Sequence, residues 1–313
     1  MRVALILLIL SVLLSACGGA ASESVDRAAP SRLGSFGFVA VDCRFDDPYD
    51  APQGARDYVE EVGAFTNVAH TCVFAPTDDL HERLAKQAAH GMRALLHVES
   101  VLFTQVPDPT APTGLRDALV PGAQENWQRF VTLNADVLDS AHVASFYLVD
   151  EPYLNHLPPA DFDAAVAIVA ATHPSIPRSF VEAWSALDGM HVPLGIDWLG
   201  FDDYQIADPS RDPRYLGSLA KLKAARSRPD QRLMIIMDAQ WTPTYPATAG
   251  LLPGDMAQVA ERYLDLARSE PDTVALIGYV WPGGLDAGQL GARELPDNVQ
   301  AVYRRIGKDI TGK

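Results

Sequence analysis

Cysteine is scarce in this sequence: three among 313 residues, at positions 17, 43 and 72. No CxxC, HExxH or comparable ligand spacing accompanies them, which argues against a structural zinc or a zinc-hydrolase centre. A glycine-rich phosphate loop is missing too, so nucleotide binding has no motif to stand on. No cofactor is expected. Positive charge is short as well, with 25 Lys and Arg against 40 Asp and Glu and a net charge of −15. Nucleic acid needs basic phosphate contacts, and anionic lipid surfaces attract basic patches. Neither partner fits. The acidic excess reads instead as a surface that favours solubility.

A long apolar run occurs at the N-terminus, where MRVALILLILSVLLSAC places one Arg ahead of it and small residues before Cys17. Its length and flanks fit an export signal over residues 1–16 rather than a membrane span. Leu14-Ser15-Ala16-Cys17 resembles a bacterial lipobox, which implies that Cys17 becomes the lipid-modified first residue and that acyl chains hold the protein on a membrane. The alternative is an ordinary signal peptide that discards Cys17. By resemblance to lipoproteins of double-membrane bacteria, Gly18 implies the outer membrane. Residues 17–32, small and polar, read as a flexible tether. Without residues 1–16 the chain has 297 residues (313 − 16) and, with Arg2 gone, a charge of −16. That length suits one α/β barrel over residues 33–313, expected as a monomer.

From residue 33 onward, short apolar stretches alternate with longer amphipathic ones. Strands are expected at 35–43, 67–76, 92–100, 144–150, 176–184, 196–204, 231–241 and 273–281. Helices are expected at 55–65, 78–91, 123–142, 158–173, 213–227, 255–270 and 294–307, with a short one after the fifth strand. A proline-rich excursion occupies 101–122. Eight strands with nearly continuous apolar cores, each followed by a helix, predict a (β/α)₈ TIM barrel. Cys43 and Cys72 fall on neighbouring strands. A disulfide is open to them in an oxidising compartment; two buried thiols is the preferred reading.

Such barrels build their sites at the C-terminal ends of the strands. The third strand ends with His97, the fourth with Asp150, Glu151 and Tyr153, and the fifth with Glu182 and Trp184. The sixth ends with Asp202 and Tyr204, the seventh with Asp238, Gln240 and Trp241, and the eighth with Trp281. Acids for proton transfer and flat rings for sugar faces thus gather on one rim, which makes carbohydrate the expected partner.

Val149-Asp150-Glu151-Pro152 on the fourth strand resembles the Asn-Glu-Pro signature of clan A glycoside hydrolases, where that Glu is the general acid/base. The resemblance implies Asp238 as the strand-seven nucleophile, with Trp241 following it. It implies Tyr204 as the aromatic bonded to that nucleophile, Trp281 as the ring under the cleaved sugar, and His97 as the strand-three histidine. Two positions depart from the clan. Asp150 replaces an Asn that donates to the sugar's 2-hydroxyl, and an ionised Asp only accepts. Asp238 replaces a Glu, which retracts its carboxylate by roughly an ångström and leaves retention or inversion open.

The expected chemistry is glycosidic hydrolysis. Glu151 acts as acid, and Asp238 as nucleophile or base. Asp202 is the substitute partner, because it shares a strand face with Tyr204. Asp150, Tyr153, His97, Glu182, Trp184, Asp202, Tyr204, Gln240, Trp241 and Trp281 are expected to hold the sugar. The alternative is a barrel of the cell envelope that binds glycan without cleaving it.

Overall fold

The computed structural model describes residues 32–313; the export signal, Cys17 and residues 18–31 lie outside the described residues. Eight parallel strands close into a barrel. They are β1 (Ser35–Asp42), β2 (Val68–Cys72), β3 (Arg93–His97), β4 (Val143–Asp150), β5 (Arg178–Ala183), β6 (Trp198–Asp202), β7 (Arg232–Asp238) and β8 (Thr273–Tyr279). Each pairs with its sequence neighbour, and β8 closes on β1. The expected (β/α)₈ barrel is the fold observed.

The apolar runs become strands because both of their faces are covered. Seven successive residues of β4, Val143–Val149, are buried, and Asp150 is the first to meet solvent. In β7 all residues from Leu233 to Asp238 are buried. A parallel sheet wrapped by helices has no wet face, so alternation disappears from its strands. Helices Pro159–Thr172, Pro213–Ala224, Met256–Ser269 and Asp297–Thr311 supply the outer layer. Two of them start with proline at the first helical position, where no donor is lost.

Two expectations need correction, the first helix and the two cysteines, and two are made specific. The helix expected at 55–65 shrinks to Val59–Val62, because Arg56 is held extended by a bridge to Phe45. The excursion at 101–122 is a β-hairpin, Phe103–Pro107 against Leu115–Leu119. After β5 the chain makes only a 3₁₀ turn, Trp184–Ala186. Cys43 and Cys72 are joined as a disulfide rather than two thiols. The bond ties the exit of β1 to the end of β2, whose Cα atoms lie 4.7 Å apart.

Candidate functional site

The backbone itself is unusual where the acids gather. Glu151 adopts φ +46°, in the left-handed region that side chains disfavour, and Gln205 just past β6 adopts φ +63°. Such conformations cost free energy and persist where the surroundings enforce them. At Glu151 the enforcement is visible. Its N–H donates to Val181 O at 2.8 Å, and its carbonyl accepts from Asn155 N at 2.9 Å. The fully buried carboxyl of Glu182 on β5 accepts from Tyr153 N at 2.7 Å and Leu154 N at 3.2 Å. It also accepts from its neighbour Ala183 N at 2.9 Å. Burial nevertheless pushes Glu182 up to about 8. Glu182 therefore fixes the turn that aims Glu151 instead of facing the cleft.

Glu151 and Asp202 meet at the centre of the rim, their carboxyls in hydrogen-bond contact. Burial raises the pKa of both, and like charge raises them further: Asp150 acts on Glu151, and Glu151 then Asp150 act on Asp202. Two acids this close share a proton instead of ionising together. Tyr204 donates to Asp202 Oδ2 at 3.2 Å, and its ring stacks on Tyr279 with centroids 4.8 Å apart. The pair opens onto a pocket of about 520 Å³ lined by Trp184, Gln205 and Arg214 among others. The Arg214 guanidinium lies over the half-exposed Trp184 ring at 4.8 Å and is anchored by a bidentate bond to buried Asp203.

Asp238 is elsewhere. It is fully buried, and its oxygens accept from Tyr245 OH at 2.8 and 2.9 Å and from Gln205 N at 2.8 Å. Burial pushes it up to about 7, against the pull of those donors. Gln240 is buried and bonded to Gln289. Trp241 donates to Leu251 O at 3.0 Å. Trp281 is 3% exposed, packs edge-on against Phe38 at 4.9 Å, and donates to Glu61. The structure thus places the strand-seven and strand-eight candidates in packing positions around the barrel, apart from the lining of the open pocket. Tyr153 is half-buried, and its hydroxyl accepts from His191 N at 2.7 Å.

A second, smaller chamber of about 60 Å³ lies in the mouth of the barrel and shares Asp202 and Tyr204 with the pocket. Val39, Val181 and Ile236 line it, with the rings of Tyr147, Tyr279, His70 and His97. Asp150 borders it and accepts from the Tyr147 hydroxyl. Its backbone N–H donates to Glu99 at 3.1 Å, and Glu99 in turn bonds His97 at 2.9 Å. Asp150 keeps contact with the solvent of the cleft. The crowd of protein around it still removes enough hydration to push its carboxyl up, opposed by Tyr147 and His97.

Several of these groups escaped sequence reasoning. Tyr147 and His70 sit inside apolar strands, where a buried polar ring looks like packing. Arg214 and Asp203 are eleven residues apart in sequence, and only the fold makes them a pair. Asp117, in the hairpin, is 1% exposed; burial and the charge of Glu99 push it up to about 6. For a metal, Cys43, His70 and Cys72 are the one group of three close enough among the described residues. The disulfide occupies both thiolates.

No protein-family model matches the chain, and no curated protein matches it in sequence. Solved structures do. The GH113 β-mannanase of Alicyclobacillus acidocaldarius superposes with a TM-score of 0.53 at 12% identity, over 90% of this chain and 98% of its own. An intracellular xylanase of Thermoanaerobacterium saccharolyticum gives 0.51 at 12% identity, over 87% and 98%. An Anoxybacillus α-amylase gives 0.56 at 13%, over 90% and 79%. At such identities the likeness is one of fold, the (β/α)₈ barrel.

Proposed function

We propose that the protein is a glycoside hydrolase whose general acid/base is Glu151, with Asp202 as the acid that shares its proton. The contact between these two carboxyls at the C-terminal rim is the observation that carries the reading. Close like charges cannot both ionise at neutral pH. One of the pair stays protonated, which is the state needed to protonate a leaving glycosidic oxygen. Glu151, once ionised, takes the proton of the incoming water and is restored. Trp184 and Tyr204 offer flat faces for sugar rings, and Arg214 holds Trp184 in place. The expected setting is the cell envelope, with Cys17 as the lipid anchor.

The test is release of reducing ends from a panel of polysaccharides and aryl glycosides. Wild type should act, and Glu151→Gln should lose about 10²–10⁴-fold in kcat, the usual share of general acid catalysis. The rate should fall as pH rises through the raised pKa of the pair, because the acid must be protonated. A second reading, glycan binding without cleavage, is favoured by the burial of Asp238 at the strand-seven position. Retention of glycan without release in any member of the panel would establish it.

A further inference from the structure

The proposed hydrolysis leaves one role unfilled. Something must attack the anomeric carbon from the face opposite the departing oxygen. In a retaining two-carboxylate enzyme the acid and the nucleophile stand about 5–5.5 Å apart, and in an inverting one about 6.5–9.5 Å, to admit water. Asp202 is in hydrogen-bond contact with Glu151 and so occupies the acid's own position. Asp238 is buried under Tyr245 and Gln205 N. Glu182 is buried beneath the Tyr153 turn. Asp238 and Glu182 are thus engaged away from the pocket, and Asp202 is taken up as the acid's proton partner.

The small chamber supplies what the carboxylates do not. It lies beside Asp150 and below the acid pair, and its volume of about 60 Å³ is about that of two waters. A sugar hydroxyl is one heavy atom and would leave most of it unfilled. Its walls are largely hydrocarbon, from Val39, Val181, Ile236 and the tyrosine rings, and beside the polar ends of His97, Asp202, Tyr204 and Tyr279 it offers an acceptor and a donor to a guest. The acceptor is Asp150, whose Oδ1 is taken by Tyr147, leaving Oδ2. The donor is His70, which is 5% exposed. Its Nδ1 accepts from Ala40 N at 3.1 Å, so Nε2 carries the hydrogen, and no protein group accepts from it. A small apolar body with one N–H and one C=O describes a secondary amide.

Resting on the hydrolase reading, we propose that the substrate is a 2-acylamino sugar, an N-acetylhexosamine glycoside, whose acetamido group enters this chamber. The amide N–H donates to Asp150, the carbonyl oxygen accepts from His70 Nε2–H, and the methyl lies among Val39, Val181 and Ile236. The same oxygen is the missing nucleophile, since a carbonyl oxygen has two lone pairs. One accepts from His70. The other forms a bond to the anomeric carbon as the bond from that carbon to the leaving oxygen breaks, and the leaving oxygen takes the proton of Glu151. The positive charge then on the amide is balanced by Asp150. Water next attacks the anomeric carbon and gives its proton to Glu151, and the carbon–amide oxygen bond breaks. The acetamide is regenerated and configuration is retained. The Asp that replaces the clan's Asn thereby gains a purpose, because an amide N–H needs an acceptor.

The experiment compares aryl 2-acetamido-2-deoxyhexosides with aryl hexosides bearing a 2-hydroxyl, using the purified protein, Glu151→Gln, Asp150→Asn and Val39→Phe. In parallel, saturation-transfer NMR follows the acetyl methyl of N-acetylglucosamine and N-acetylgalactosamine oligomers. The expected result is cleavage of the acetamido series at least 100-fold faster, with retained product. Asp150→Asn should lower kcat on that series by 10²–10³-fold, and Val39→Phe, which fills the chamber, should raise KM. Circular dichroism checks that each variant is folded, and the substrate comparison stands on wild type alone. Equal or faster cleavage of 2-hydroxyl substrates overturns the acetamido inference and leaves the hydrolase reading standing. Methyl saturation without any cleavage sinks hydrolysis but keeps the substrate class. Neither saturation nor cleavage overturns the inference outright.

Discussion

Asp238 shows how a carboxylate at the functional rim can serve structure. It is fully buried, yet Tyr245 OH and Gln205 N give it donors, and a buried acceptor with donors is tolerable where a bare one is not. Its bond to Gln205 N also fixes the left-handed residue that follows Tyr204. Removing the hydroxyl in Tyr245→Phe strands part of a buried acceptor, at a cost of about 1–3 kcal/mol. The melting temperature should drop accordingly. Asp238→Asn keeps the volume, so it should fold and retain kcat within about tenfold, far short of the loss expected of a nucleophile. A loss as deep as that of Glu151→Gln would return Asp238 to the chemistry.

At the scale of elements, the site depends on β5 supporting the turn after β4. Three backbone N–H groups converge on Glu182, and the Glu151 backbone is held left-handed by that turn. Glu182→Ala leaves those donors without their partner inside the protein, so it should cost at least about 2 kcal/mol, judged from 1–3 kcal/mol per stranded group. The proposed glycosidase activity should fall with it, and proteolysis near residues 151–156 should quicken. Intact activity in a folded Glu182→Ala would show that the turn holds itself. The strands were legible from sequence because burial on both faces writes unbroken apolar runs, as in Val143–Val149. The same burial erased the alternation that tells which residue at a strand end faces inward. Trp281 and Tyr279 share parity, but β8 ends at Tyr279 and the chain then turns, so Tyr279 lines the chamber and Trp281 joins the core. Asp202 is the last residue of β6, so parity still held there. The hairpin was not legible because its strands, FTQVP and LRDAL, are five residues each, hold no unbroken apolar run and are mostly left partly or fully exposed.

Across the whole molecule, carboxyls with raised and lowered pKa values set opposite pH trends. Asp117, Asp238 and Glu182 are almost wholly buried and stand at about 6, about 7 and about 8. Each keeps its proton in the native state at a pH where the unfolded chain, with ordinary carboxyls near 4, has released it. The native state therefore binds more protons between about pH 4 and 8, and stability falls as pH rises through that window. Each tenfold difference in proton affinity between the folded and unfolded chain corresponds to about 1.4 kcal/mol. Asp50, held down by Arg56 and Arg293 against its burial, and Asp272, held down by Arg226, act the other way. Their contribution is present above about pH 4 and is lost as pH falls through their native values. Both trends together place the maximum near pH 4, on the acid side of neutrality. Calorimetry from pH 4 to 9 should show the melting temperature highest there and declining steadily towards pH 8. Asp117→Asn should flatten the part of that decline between about pH 4 and 6, because the amide does not titrate. A melting temperature that climbs from pH 5 to 8 would mean that these acids are solvated and ionised in the native protein, and the barrel mouth would then be wetter and more open than its packing indicates.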